Sequence, residues 1–198
     1  MKNLFIVLFL FVFISCTHRV NVPLTVDYQN NTPAINSFST LDNNYTFVKG
    51  EYIDKRVDVS KLASFKQEIH TFDLYAERPI GDVIFEGLST LIHKAGKRWS
   101  LDGSGNIKIN LQLLSLTASR NAGMIHVGAN STIQIKLDFI DMKTQRIIYT
   151  QIYNGSDDRK QAMIGLMNMV KDSINSSIIN CINSVANDKM LIESLKQL

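Results

Sequence analysis

Ile133-Gln134-Ile135-Lys136-Leu137-Asp138-Phe139 is the stretch on which the fold turns. Apolar side chains at every second position give one face to a core and one to water, the mark of a half-buried β-strand over about 125–140. Ile107-Lys108-Ile109-Asn110-Leu111-Gln112-Leu113 alternates in the same way. Its phase slips at Leu113-Leu114-Ser115-Leu116, where one extra residue predicts a β-bulge. Asp141 to Gln145 supplies a turn, and Ile147 to Tyr153 a third strand, so the three form an antiparallel meander. Working outward, Pro79 suits the first turn of a helix, and Ile80, Ile84, Leu88, Leu91, Ile92 and Ala95 recur at helical spacing up to Gly96. Beyond the meander, Ser156 followed by Asp157 and Asp158 reads as a helix cap with acids in the first turn. The stripe Met163, Leu166, Met167, Val170, Ile174, Ile178, Cys181, Ile182 and Val185 continues that helix until Asn187-Asp188. Met190 to Leu195 reads as a short terminal turn or helix. Tyr45 to Ile53 reads as a first core strand with a bulge at Gly50. The order strand, helix, three strands, helix predicts an α+β fold, an antiparallel sheet with two helices packed on one face. Val57-Asp58-Val59 and His70 to Tyr75 hint at further short strands.

The amino end carries different information. Lys2 and Asn3 precede an unbroken apolar run from Leu4 to Ile14, followed by Ser15 and Cys16. As a helix that run rises about 16 Å, against about 30 Å of bilayer hydrocarbon, so it reads as a secretory signal and not as a resident span. Residues 17 to 43 are rich in Asn, Thr, Ser and Pro and read as a tether. Val20, Val22, Leu24 and Val26 alternate inside it as an edge strand interrupted by Pro23. The organisation expected is a signal at 1–15, a tether at 16–43 and a globular domain at 44–198.

Composition limits the function. Of 198 residues, 45% are hydrophobic, enough for a packed core, and the formal net charge of +3 comes from scattered basic residues, which disfavours a nucleic-acid binder. Two cysteines exclude a disulfide scaffold and a four-Cys zinc site. The four histidines, His18, His70, His93 and His126, show no metal-ligand spacing, so no metal and no cofactor is expected. Cys181 lies on the apolar stripe of the last helix, where a buried structural thiol is favoured over a nucleophile because no base sits one turn away. His70, Asp73 and Glu77 could gather as acid, base or ligand, but a solvated polar segment is favoured. Asp102-Gly103-Ser104-Gly105-Asn106 lacks the Lys-Ser/Thr of a phosphate loop and precedes a strand, so it reads as a turn. Met163, Met167 and Met169 fit core filling better than an adaptable pocket. Lys94, Lys97 and Arg98 beside Trp99 form the densest basic cluster. They suit lipid head groups or an anionic cell-wall polymer, although helix-end charges plus one core indole account for them equally simply, and that reading is favoured.

Phe13-Ile14-Ser15-Cys16 resembles a bacterial lipobox, with Phe13 departing from the usual Leu. Lipid attachment at Cys16 is what that resemblance implies, the alternative being a secreted chain with a chance cysteine. More than one acyl chain gives stable anchoring. Thr17, where Asp commonly marks inner-membrane retention, implies delivery to the outer membrane with the body facing the periplasm. Helix 79–95 ending in Ala95-Gly96, the strands Ile107 to Leu111 and Ile133 to Leu137, and the closing segments Ile182 to Asp188 and Ile192 to Lys196 resemble the YajG-type family of Gram-negative envelope lipoproteins. More loosely, they resemble the auxiliary lipoproteins of transport systems. The resemblance spans roughly residues 44–196 and brings no catalytic residues. It implies a non-enzymatic binding or structural module, or else an accessory subunit of a secretion or transport complex, with envelope proteins as partners and the oligomeric state open.

Overall fold

The computed structural model describes residues 17–25, 37–67, 70–122, 127–161 and 166–198. Its strands are β1 (Thr17–Val22), β2 (Thr46–Asp54), β3 (Lys61–Gln67), β4 (His70–Ala76), β5 (Arg98–Ser100), β6 (Ile107–Ala122), β7 (Val127–Asp141) and β8 (Arg146–Gln161). Its α-helices are α1 (Ile80–Lys94), α2 (Leu166–Ala186) and α3 (Lys189–Leu195). The strands form a five-stranded sheet, β5-β2-β6-β7-β8, and a three-stranded sheet, β1-β4-β3.

The meander is present as expected. β6 pairs antiparallel with β7, and β7 with β8; the register shift between Leu113 and Ser115 is the bulge that the phase slip foretold. Ile109, Leu111, Leu113, Ile135, Leu137 and Phe139 are wholly buried on one face, where α1 and α2 lie against the sheet and each other. Two features differ from a purely antiparallel sheet. β2 runs parallel to both β5 and β6, and β1 runs parallel to β4. The long connections allow this, since β3, β4 and α1 lie between β2 and β5, and β2 and β3 between β1 and β4, and parallel neighbours need a crossover longer than a hairpin turn.

The cap expected at Ser156-Asp157-Asp158 is corrected by the structure. β8 continues through these residues to Gln161, and α2 begins at Leu166. Asp157, Asp158 and Arg159 pair with Ser131, Asn130 and Ala129 of β7, and Asp157 forms an ion pair with Arg159 at 2.7 Å. A continuous backbone ladder satisfies more groups than one side-chain cap. Met163 falls outside the described residues. Val57-Asp58-Val59 is a turn in place of a strand, because the Asp58 carboxylate accepts from the Ser60 and Lys61 amides.

Residues expected as tether are partly built into the body. β1 is an edge strand, and Val22, Leu24, Phe38 and Leu41 are buried. Phe38 meets Phe47 edge-on at 5.6 Å. Val22 and Leu24 belong to the alternation read in the sequence, whereas Phe38 and Leu41 stand outside any periodic pattern, and all four join the common core.

The tightest packing lies between α2 and β8. A Cβ on Gly155 would stand 2.0 Å from the Ser177 carbonyl oxygen and 2.5 Å from the Cys181 amide nitrogen. Ser173, Ser177 and Cys181, spaced one turn apart, keep this strip of α2 narrow, and the Ser131 hydroxyl donates to the Ser173 carbonyl at 2.7 Å. Asn180 and Ser184 donate to the β8 carbonyls of Ser156 and Asn154, which blunts that length of edge strand. Replacing Gly155 by Ala is expected to cost about 2–3 kcal/mol in urea unfolding through overpacking, and a loss below about 0.5 kcal/mol, the usual range for an uninvolved surface position, would contradict this contact.

Candidate functional site

A cleft of about 400 Å³ opens where β2, the small sheet and the start of α1 meet. Its geometry begins at Gly50. Two β2 residues oppose Asn110 there, and a Cβ on Gly50 would stand 2.6 Å from the Ile109 carbonyl oxygen. The Asn110 side chain accepts from the Glu51 amide at 2.9 Å, which closes the bulge. After this phase change the Tyr52 ring lies on Gly81, in the first turn of α1, so closely that a Cβ at 81 would meet the ring at 2.5 Å.

Tyr52 donates to Asp54 Oδ2 at 3.0 Å. Burial, then the neighbouring carboxylate, pushes the phenol pKa upward, so Tyr52 is a neutral donor. Arg56 grips Asp54 with two nitrogens, Nε to Oδ1 at 2.9 Å and Nη2 to Oδ2 at 2.7 Å. The same guanidinium donates to the Lys61 and Val59 carbonyls. Burial works against the Asp54 carboxylate, but the bonds from Arg56 outweigh it and hold the pKa below the usual range. Arg56 is thus fully engaged in shaping the loop. The guanidiniums facing the cleft are Arg19, stacked over Tyr75 at 4.1 Å, and Arg78, paired with Glu86 at 2.5 Å. Such a wall can bind by charge, stacking and hydrogen bonding.

Lys94, Lys97, Arg98 and Trp99 do not share one surface. Gly96 takes φ of 73°, its amide bonds to His93 O, and the Lys97 amide reaches back to Ile92 O. This reversal sends Lys97 inward. Lys97 is 5% exposed, and its Nζ donates to Leu41 O at 2.6 Å and Asn43 Oδ1 at 3.0 Å. Trp99 packs beside Phe85 at 6.3 Å. Lys94 and Arg98 remain exposed. The signal for Lys97 is present in the sequence, since the residue directly after a helix-ending Gly commonly turns back onto the helix.

The other candidates separate as well. His70 and Asp73 stand three apart on β4 and so face opposite sides. His70 Nδ1 lies 3.0 Å from His18 Nε2, whereas Asp73 bonds Lys61 at 2.7 Å and Ser64 at 2.6 Å. Glu77 reaches the cleft wall. Cys181 is buried, and burial pushes its thiol up to about 12, so it stays protonated at neutral pH. His126 lies outside the described residues, as does Cys16. Among the described residues, no group of three His, Cys, Asp or Glu gathers to hold a metal, and no helix is long and apolar enough to cross a membrane. Val57 and Val59 are exposed; Val57 lines a groove of about 480 Å³ between residues 55–64 and Leu114 to Ala118, and Val59 lines the cleft beside α1.

The sequence profile of a family described as uncharacterized lipoprotein matches residues 33–196. Among solved structures, a Xanthomonas campestris protein of the DUF330 family is similar at 12% identity and a TM-score of 0.60. The match covers 90% of this chain and 97% of that one, and it shows a shared fold. A minor lipoprotein from Acinetobacter baumannii (11% identity, TM-score 0.39, covering 78% and 96%) and lipoprotein GNA1162 from Neisseria meningitidis (9%, 0.38, covering 73% and 99%) are more distant. No curated protein matches.

Lys97→Met is expected to lose about 1–3 kcal/mol, because it strands the Leu41 carbonyl and the Asn43 amide oxygen. Arg98→Gln should stay within about 0.5 kcal/mol. Equal thermal denaturation midpoints for the two variants would contradict the inward role of Lys97.

Proposed function

The chain belongs to this lipoprotein family, and from that premise we propose that it is a non-enzymatic binding or structural module, held on a bacterial envelope membrane by acyl chains on Cys16. The observation that carries the reading is positional. An apolar run of signal length ends at Ile14, two residues before Cys16, and the folded body, where the family match lies, follows. In this reading residues 1–15 are the signal, Cys16 is the anchor, and residues 44–198 form the domain, with β1 annexed to it. The leaflet is the inner leaflet of the outer membrane, by the resemblance at Thr17, and the body faces the periplasm.

Binding, as opposed to bond-making, is supported by the separation of the candidate acids and bases on β4 and by the buried, protonated state of Cys181. The exposed Val57, which lines the 480 Å³ groove, and the exposed Val59, which lines the cleft beside α1, favour a protein partner and keep the second reading, an accessory subunit of a secretion or transport complex. Lys94 and Arg98 are the exposed members of the basic cluster.

Radiolabelled palmitate supplied to growing cells should label the wild-type protein and leave the Cys16→Ala variant unlabelled. Equal incorporation into both would overturn attachment at Cys16.

A further inference from the structure

If Cys16 carries the acyl chains, the geometry of β1 decides which part of the body meets the lipid. Cys16 is joined by a single peptide bond to Thr17, and Thr17 is already in strand register with Thr71 of β4. Consecutive Cα atoms lie about 3.8 Å apart, so the strand begins about one residue from the lipidated cysteine.

The start of β1 is held to the sheet by more than its ladder. Phe65, Phe72 and His18 lie on three neighbouring strands and stack in sequence, at 5.6 Å and 5.1 Å between ring centroids. His18 continues the row through its 3.0 Å contact with His70. Lys66 is level with Thr17, since both pair with Thr71. This end of the small sheet therefore presents the His18 and His70 imidazoles on one face and the Lys66 ammonium on the other. Asp73, the carboxylate within the described parts of β3 and β4, is already occupied by Lys61 and Ser64. Glu68 is outside the described residues. A cation and imidazole N–H groups suit phosphate oxygens.

The opposite end differs in chemistry. Lys61 is level with Asn21, four strand residues from Thr17 and so about 13 Å along the strand. There the exposed Val57 and Val59 sit in the preceding loop.

We propose that the anchored end of the three-stranded sheet is a phospholipid contact surface, with His18, Lys66 and His70 set against head-group phosphates and no tether between anchor and body. This rests on acylation of Cys16. The consequence is a defined orientation, in which the Val57 loop stands off the leaflet.

The test uses full-length protein purified from bacterial membranes with its acyl chains and reconstituted in phosphatidylethanolamine/phosphatidylglycerol vesicles. A fluorophore is placed at Lys66→Cys or Val57→Cys, and the vesicles carry a lipid with a nitroxide on its head group. Cys181 is buried and stays unlabelled in the folded protein. The label at 66 should be quenched several-fold more than the label at 57. A flexible Gly/Ser insert of about ten residues between Cys16 and Thr17, about 17 Å in root-mean-square reach, should bring the two values together. Equal quenching at both sites without the insert, or quenching at 66 that the insert leaves unchanged, would overturn the proposal. Vesicle flotation separates the two claims. Protein that fails to float contradicts the anchoring itself, and protein that floats with equal quenching contradicts the apposition alone.

Discussion

At Gly155 the α2 backbone comes so near β8 that no side chain fits between them. That approach fixes much else. It sets α2 over the meander, lets Val170, Ile174, Ile178, Ile182 and Val185 fill the space above Ile133, Ile135 and Leu137, and places Asn180 and Ser184 on the edge carbonyls of β8. It also positions the chain's end. Asp188 caps α3 through the Leu191 amide and accepts from the hydroxyls of Tyr149 and Tyr153 on β8. The Tyr153 phenol, pushed upward first by burial and then by Asp188, stays protonated and keeps donating. Tyr45 then reaches the Leu195 carbonyl at 2.7 Å, joining the first part of the body to the last.

Where one periodicity governs a long segment, the sequence reveals the structure. Strict alternation at 107–113 and 133–139 and the helical stripe at 80–95 correspond to β6, β7 and α1, and the Leu113–Leu116 slip corresponds to a real bulge. The reading fails where short-range signals compete with distant pairing. Ser156-Asp157-Asp158 carries every local mark of a helix start, yet β7 already offers unpaired backbone through Asn130 and Ser131, and the ladder wins. Parallel pairing of β2 with β6 leaves no local signature, because it is decided by which strands become neighbours. β1 illustrates the same limit. Its alternation is legible, but its partner lies fifty residues away in a segment whose own pattern is weak.

The candidate site was legible only in part. Cys16 stands out through its position after an apolar run. The basic cluster at 94–99 looks uniform in sequence, but the reversal at Gly96 divides it into an inward Lys97 and Trp99 and an outward Lys94 and Arg98. The cleft beside α1 depends on residues from β1, β2, β4 and α1, and no linear motif joins them. Its shape comes from the Gly50 bulge and from the Arg56 grip on Asp54. The cleft and the exposed Val57 loop are built from loops and strand ends on the sheet-and-helix frame.

The central claim is that the folded body begins where the anchor ends. Hydrogen exchange on the acylated protein in vesicles tests it most directly. Amides of β1 that pair with β4 should be protected alongside their partners in 70–76, well above free-chain exchange. Exchange of residues 17–22 at the rate of an unstructured peptide, with β4 still protected, would contradict the account and restore a tether between membrane and domain.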